Sequence, residues 1–374
     1  MSKWAGKFVI GLTGNIGTGK SVVRRMLEHM GAFGIDADAL SHRVIAKGAP
    51  GYQPVVEMFG RWVIGPDGEI DRGRLGRVAF ADKEAMARLE AIIHPLVQQA
   101  IDWMIRRSPK KVIVIEAIKL LEAGLGKNCD SIWVVTAPPQ VQLQRLMQKR
   151  GMREAEARQR IAAQSSQDQK EAAAQVVIKN GGTIEDTWRA VVAGWKKSVP
   201  LAEVEPAAHA PASGFTVFRG RPRDSETIAA LINRVKKGGR ATTAGEIMAE
   251  FGDKAFLLMR SGDHLVGVAG WQVENLVART ADIVIDPAVP ASNALPSLIK
   301  EMEQSSKDLQ CEASLIFTTP ELSVDALWRK LGYERRMPQS LGVAVWQEAA
   351  KESMQPGQTL YFKQLRQDRV LRPI

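Results

Sequence analysis

The sequence predicts an α/β fold for its first half, a parallel sheet flanked by helices, followed by an α+β unit with a mostly antiparallel sheet. Three observations carry this. Before residue 200, short β-branched runs alternate with stretches of helical spacing, the pattern of parallel strands joined by crossover helices. After residue 214 the strand-like runs come closer together and are separated by turn residues. Between the two lies PLAEVEPAAHAPASG at 200–214, with three prolines and no apolar periodicity, which reads as a tether. The expected division is therefore 1–199, a linker at 200–214, and 215–374.

Taken in order, residues 7–13 (KFVIGLT) form an apolar run suited to a buried strand. Residues 14–19 form a glycine loop, and 21–30 have helical spacing closed by Gly31. A second short strand is expected at 32–35, and helices at 54–59 and 83–107. Residues 111–115 (KVIVI) and 131–136 (SIWVVT) are β-branched strands. Helices with polar faces follow at 140–150 and 154–173, and a last strand at 176–178. In the second half, strands are expected at 215–219, 256–260, 265–273, 280–285, 312–318 and 359–365. The second and third of these form a hairpin around Ser261-Gly262-Asp263. Helices are expected at 224–236, 295–309 and 325–331. No internal repeat relates the two halves.

Composition narrows the class. Of 374 residues, 45% are hydrophobic and 25% charged, as in ordinary globular proteins. No apolar run reaches membrane-spanning length, and 8–12 is too short for a signal-peptide core, so a cytoplasmic location is expected. Cys129 and Cys311 stand far apart, which indicates neither a disulfide framework nor a metal knuckle. The net charge is +10, and all of the excess lies in the first 200 residues, where 30 Lys and Arg face 20 Asp and Glu. A basic half points to anionic partners. No five basic residues occur in a row, which argues against nucleic acid, and no feature argues for a membrane.

The residues that carry chemistry begin at Gly14. Gly14-Asn15-Ile16-Gly17-Thr18-Gly19-Lys20-Ser21 fits G-x-x-x-x-G-K-[ST], between an expected strand and an expected helix. Glycines let the backbone curl so that its N–H groups face phosphate oxygens, and the helix start adds its positive dipole end. Lys20 would reach the outer phosphates and Ser21 would ligate Mg²⁺. Asp36 and Asp38 follow the second strand, at the end of the sheet where ligands of such folds bind. A carboxylate there can accept a hydroxyl proton or hold a metal through water.

At this point the chain resembles the dephospho-coenzyme A kinases. The resemblance rests on GLTGNIGTGKS, on Ile35-Asp36-Ala37-Asp38, and on Ile93-His94-Pro95-Leu96. It continues through Leu120-Leu121-Glu122-Ala123-Gly124-Leu125, Val134-Val135-Thr136-Ala137-Pro138 and Gln142-Leu143-Gln144-Arg145-Leu146. It ends with Arg160-Ile161-Ala162-Ala163-Gln164 and Val176-Val177-Ile178-Lys179-Asn180-Gly181, covering about 7–195. The resemblance implies transfer of the ATP γ-phosphate to the 3′-hydroxyl of dephospho-CoA, with ATP and Mg²⁺ required. It implies Asp38 as general base, Asp36 in support, and Lys20 and Arg145 on the phosphates. Gly14 to Val22 would hold the nucleotide, Asn180 would approach the adenine, and His94 with Arg72 to Arg77 would lie on the substrate side. His94-Pro95 also reads as a turn, and the arginines as a solvated face. The chain departs from the family at Val22 (usually Thr), Ile118-Lys119 (usually Pro-Leu), Lys149-Arg150 (usually Arg followed by Asp or Asn) and Gln175 (usually Asp).

The second half resembles the N-acetyltransferase (GNAT) superfamily through Gly267-Val268-Ala269-Gly270-Trp271, Ile283-Val284-Ile285-Asp286, and Leu327-Trp328-Arg329-Lys330-Leu331-Gly332-Tyr333-Glu334. That family cradles acyl-CoA pyrophosphate on a glycine-bearing loop. Here the stretch is Pro287-Ala288-Val289-Pro290-Ala291-Ser292-Asn293-Ala294, without glycine and with two prolines that lack an N–H. The unit is therefore expected to be non-catalytic or regulatory, and it is assigned no catalytic residue. Three other readings stand beside the main one: a kinase for another nucleotide-like acceptor, a nucleotide-dependent regulator, and a bifunctional kinase and acetyltransferase.

Overall fold

The computed structural model describes residues 3–200, 214–236 and 240–367. Nearly all of the tether expected at 200–214 lies outside these residues.

The first half is built on five parallel strands in the order β2-β3-β1-β4-β5. These are β1 (Phe8–Thr13), β2 (Phe33–Asp36), β3 (Val112–Glu116), β4 (Ser131–Thr136) and β5 (Val176–Lys179). The helices are α1 (Lys20–His29), α2 (Ala37–Arg43), α3 (Tyr52–Phe59), α4 (Arg72–Ala81), α5 (Lys83–Arg107), α6 (Pro139–Arg150), α7 (Glu154–Ala162), α8 (Gln167–Ala172) and α9 (Ile184–Ser198). One face of the sheet buries Ile10, Leu12, Val114, Trp133 and Val135 against α1 and α9. The other buries Val9, Ile113, Ile115 and Val134 among apolar residues of α2, α3 and α5. With both faces covered, the strands are apolar throughout; β3 is buried along its whole length.

The strand register positions the site. Leu12 and Asp36 both lie opposite Glu116, so β1, β2 and β3 end at one level. The strand order reverses beside β1, where an α/β sheet opens a crevice at its carboxyl edge.

The second half is a seven-stranded sheet, β11-β12-β10-β9-β8-β7-β6. Its strands are β6 (Phe215–Arg219), β7 (Ala255–Ser261), β8 (His264–Glu274), β9 (Val277–Ile285), β10 (Ala313–Thr318), β11 (Glu334–Arg335) and β12 (Thr359–Gln364). All neighbours are antiparallel except β9 and β10, which pair in parallel. Helix α12 (Ala291–Asp308) covers one face. Helices α10 (Ser225–Val235), α11 (Ala244–Glu250) and α14 (Ala344–Ser353) cover the other, and α13 (Asp325–Lys330) packs at the β12 edge. The hairpin expected at Ser261-Gly262-Asp263 joins β7 to β8, with Gly262 in the left-handed region at φ 57°.

Several elements differ from expectation. His94-Pro95 is not a turn: both residues lie inside the 25-residue α5. The interior proline forfeits a helical hydrogen bond, but Val97, Ala100, Ile101, Met104 and Ile105 are all buried on the following turns and hold the helix in place. The single helix expected at 154–173 is two helices, because residues 163–166 leave it to dock on the glycine loop. Helices α2, α4, α9, α11 and α14 were not anticipated. Among the described residues, no helix is long and apolar enough to cross a membrane.

The Trp328 ring is fully buried and stacks on Tyr361 at 5.1 Å, and its N–H donates to the Leu322 carbonyl at 2.7 Å. Trp328→Ala should destabilise the protein by about 3–5 kcal/mol, read as a lower urea midpoint. A change below 1 kcal/mol would show that the β12 edge repacks freely.

Candidate active site

The glycine loop leaves β1 and closes on the first turn of α1. Gly14, Gly17 and Gly19 have φ of 150°, 76° and 90°. A Cβ on Gly14 would sit 2.3 Å from the Val135 carbonyl oxygen, and one on Gly19 would sit 2.1 Å from Asn180 Nδ2. The backbone is thus pressed against its neighbours and open toward the crevice, the shape a phosphate cradle requires. Asn180, 5% exposed, donates through Nδ2 to the Thr18 carbonyl at 2.8 Å and accepts from the Thr187 hydroxyl at 2.9 Å. Arg145 donates to the carbonyls of Gly17 and Thr18, each at 3.2 Å, and of Asn180 at 2.9 Å. Both residues therefore brace the outer side of the loop, and Arg145 ties the loop backbone to that of Asn180. Val22 packs its side chain in the apolar layer with Ile184 and Trp188, and its N–H serves the helix, donating to the Gly19 carbonyl at 3.1 Å.

Segment 163–166 covers the loop from the other side. Gln164 Oε1 accepts from the Ile16 N–H at 2.7 Å, and Asn15 Nδ2 donates to the Ser165 carbonyl at 3.2 Å. The Ser165 hydroxyl donates to Glu122 at 2.7 Å.

The acidic side of the crevice contains one residue that sequence reasoning missed. Glu116 ends β3 and is 3% exposed. It accepts from the Ser21 hydroxyl at 2.8 Å and from Arg24 Nε at 2.7 Å. Arg24 also bonds Glu28 at 2.6 Å, so its buried guanidinium is shared by two carboxylates. Burial pushes the Glu116 carboxyl up, but the charges of Arg24 and Lys20 and the two hydrogen bonds outweigh this and hold it below the usual carboxylate range. Asp36, opposite Glu116, has the reverse outcome. Burial and the Glu116 charge push it up to about 6 against the pull of Arg24, and its side chain caps α2 by accepting from the Ala39 N–H at 2.8 Å.

Asp38 lies in the first turn of α2, and its Oδ2 accepts from the Ile118 N–H at 3.0 Å. Burial raises its pKa, while the Ile118 N–H and the charge of Lys20 oppose the rise. The Ile118 carbonyl accepts from Lys170, an almost fully buried lysine, at 2.8 Å and from the Thr13 hydroxyl at 3.1 Å. Lys119 points outward to Glu90 at 2.9 Å. Lys20 is buried, with Nζ 3.4 Å from the Asn15 carbonyl.

The structure thus brings Lys20, Ser21, Asp36, Asp38 and Glu116 to one rim. His94 is exposed on α5. Arg74 is committed to Asp71 at 3.2 Å and to the carbonyls of Trp62 and Ile64, while Arg72 and Arg77 are exposed. Gln175 accepts from the Ile132 N–H at 2.6 Å and closes the start of β4. The side chains of Lys149 and Arg150 lie outside the described set. Ser21 and Glu116 supply hard oxygen atoms of the kind Mg²⁺ uses when phosphates and water complete its shell. Among the described residues, no group of three or more His, Cys, Asp and Glu could hold a metal ion by itself.

The loop before α12 carries an acidic residue of its own. The Asp286 carboxylate accepts from the Ala288 N–H at 3.0 Å and pairs with Arg234 at 2.7 Å. Tyr333 is buried, and its hydroxyl donates to Ser314 at 3.0 Å, a packing position.

Glu116→Ala would leave the buried Arg24 with its hydrogen bond to Glu28 and the more distant charge of Asp36. A loss of about 3 kcal/mol is expected in urea unfolding, at the low end for a broken buried pair because Glu28 remains. A loss under 1 kcal/mol would mean that Glu28 suffices.

Comparison with known proteins agrees with this geometry. A family described as dephospho-CoA kinase matches residues 8–186. The dephospho-CoA kinase of Geobacter metallireducens is 45% identical over 194 residues, 51% of this chain and 96% of that protein. That of Moorella thermoacetica is 42% identical over 194 residues, 51% of this chain and 92% of its own. The solved dephospho-CoA kinase of Campylobacter jejuni is 25% identical, covering 50% of this chain and 96% of its own with a TM-score of 0.39. A solved putative acetyltransferase from Salmonella typhimurium covers 41% of this chain and 96% of its own, at 13% identity and a TM-score of 0.32. With near-complete coverage of relatives above 40% identity, the chain belongs to the dephospho-CoA kinase family.

Proposed function

We propose that the chain transfers the γ-phosphoryl group of ATP to the 3′-hydroxyl of dephospho-CoA, giving CoA and ADP. The observation that carries this reading is the shared rim: Asp38 stands within the field of Lys20, at the mouth of a loop shaped for phosphates. In phosphoryl transfer the protein has little covalent work to do, so alignment and charge dominate. Gly14 to Ser21 would hold the phosphates, and Lys20 would meet the charge on the transferred group. Asp38 would accept the hydroxyl proton, and Asp36 would fix α2 by its cap. Mg²⁺ would be held through Ser21, with Glu116 beside it, and would neutralise phosphate charge. Asn180 and Arg145 would keep the loop in shape beneath the nucleotide. The segment at 163–166 would exclude water, which would otherwise replace the acceptor.

In this reading the chain divides at the tether. Residues 1–199 carry the kinase, and 215–374 form a second unit that performs no acyl transfer. The acceptor is a soluble small molecule rather than nucleic acid or membrane, in keeping with a cytoplasmic enzyme.

The departure at Ile118 acquires a role. A proline at this position has no N–H, so the bond to Asp38 exists because the chain has isoleucine here.

Two experiments test the reading. ADP release from ATP and Mg²⁺ should depend on dephospho-CoA and yield CoA. Asp38→Asn should lower kcat by roughly 10²–10⁴-fold, the usual contribution of a general base. ADP release indifferent to dephospho-CoA would sink the acceptor assignment. The second experiment follows kcat against pH. Activity should fall toward acid as Asp38 gains a proton, at a pH above the ordinary carboxylate range because of burial. Ile118→Pro removes a hydrogen bond to the charged form but keeps the carbonyl. The acid limb should therefore move to higher pH. A limb that stayed in place would show that the Ile118 N–H does not tune the base.

A further inference from the structure

The helices that carry the site touch the second half of the chain at their far ends. Helix α2 is seven residues long, too short to hold its own direction, and it ends in Arg43. Arg43 Nη1 donates to the Asn275 carbonyl at 2.7 Å, and Nη2 donates to both Glu312 oxygens at 2.8 and 2.9 Å. The Arg43 side chain is 10% exposed and that of Glu312 only 1%. A buried ion pair persists only where its geometry is nearly complete, and the planar guanidinium fixes direction as well as distance.

The receiving surface is itself constrained. Asn275 and Leu276 form the turn between β8 and β9, and both are left-handed, at φ 52° and 61°. A leucine adopts that conformation only where its surroundings compel it. Leu276 is buried and lines a cavity of about 40 Å³ together with Leu40, Met104 and Leu309. Asp36 and Arg24 line the same cavity, which places the turn one layer behind the site. Helix α1 is held in the same way: Arg25 Nε donates to the Gly252 carbonyl and Arg219 Nη1 to the Glu28 carbonyl, both at 2.8 Å. Gly252, Asn275 and Glu312 all lie outside residues 8–186, the region matched by the kinase family.

We propose that the second half serves as a positioning element for the kinase: Glu312 and the Asn275–Leu276 turn grip Arg43 and so fix α2 and Asp38. This rests on the kinase reading above. Arg43 and Glu312 are positioning residues that act through α2. The role needs no ligand in the second half.

The test uses the full chain in four forms: wild type, Glu312→Gln, Arg43→Met and Asp308→Ala. Asp308 pairs with Lys110 at 3.3 Å in the same interface and bonds Gln304 rather than α2, and it serves as the control for general loosening. Hydrogen exchange is followed at the amides of 37–44 alongside steady-state kinetics. In Glu312→Gln and Arg43→Met, exchange at 37–44 should rise at least about tenfold and kcat should fall roughly 10–100-fold, as expected when a reacting group is misplaced by about 1 Å. KM for ATP should stay within about twofold, because the phosphate loop is not displaced. Asp308→Ala should show neither change. Unchanged exchange at 37–44 in both α2 variants would overturn the proposal, as would equal loosening in Asp308→Ala. If wild type shows no acceptor-dependent ADP release, the kinase reading fails separately, and the exchange contrast still decides whether the clamp exists.

Discussion

The site depends on a single buried acid. Glu116 closes β3 at the level where β1 and β2 also end, and its two oxygens hold Ser21 on one side and Arg24 on the other. Without a carboxylate at that point, the first turn of α1 would lose its tie to the sheet and Arg24 half of its compensation. The same negative charge raises Asp36 and is itself held ionised by Arg24 and Lys20. A cluster of this kind is costly to assemble in a dry interior, and it survives because each member has a partner. The loop glycines then need only shape, since the charges are already placed.

Much of this was legible in the sequence. The β-branched runs at 131–136 and 215–219 are strands with those bounds, and the helix at 83–107 has the bounds its periodicity implies. The glycine motif fell between strand and helix, and two acids followed the second strand, as the parallel sheet demands. What escaped had identifiable causes. Glu116 stood one residue past the strand expected at 111–115 and was given no role. Only the strand order brings it opposite Asp36. Helix α9 carried a capping box, Thr183 with Asp186, that local inspection could have used. The break at 163–166 had no breaker residue. Its cause is tertiary, the bonds from Gln164 and Ser165 to the loop and to Glu122.

Arg145 and Asn180 show how the glycine loop is held from behind. Arg145 donates to the carbonyls of Gly17, Thr18 and Asn180, and Asn180 to that of Thr18. Gly19 explains why. Its φ of 90° turns the chain so tightly that any side chain would meet Asn180, so the loop can hold this path only with polar groups stacked behind it. The rigidity of the phosphate cradle is thus supplied from β5 and α6, elements far along the chain from the motif.

The pair between Arg43 and Glu312 spans 269 residues of sequence, and this has a consequence for biosynthesis. Chains emerge from the ribosome at about 5–20 residues per second, so roughly 10 to 60 s separate the synthesis of the two partners. Once residue 179 has been made, the first half has every strand of its own sheet, while Glu312 has still to be synthesised. With the clamp proposed above, α2 gains its Glu312 partner only after the whole of the first sheet and most of the second have been made.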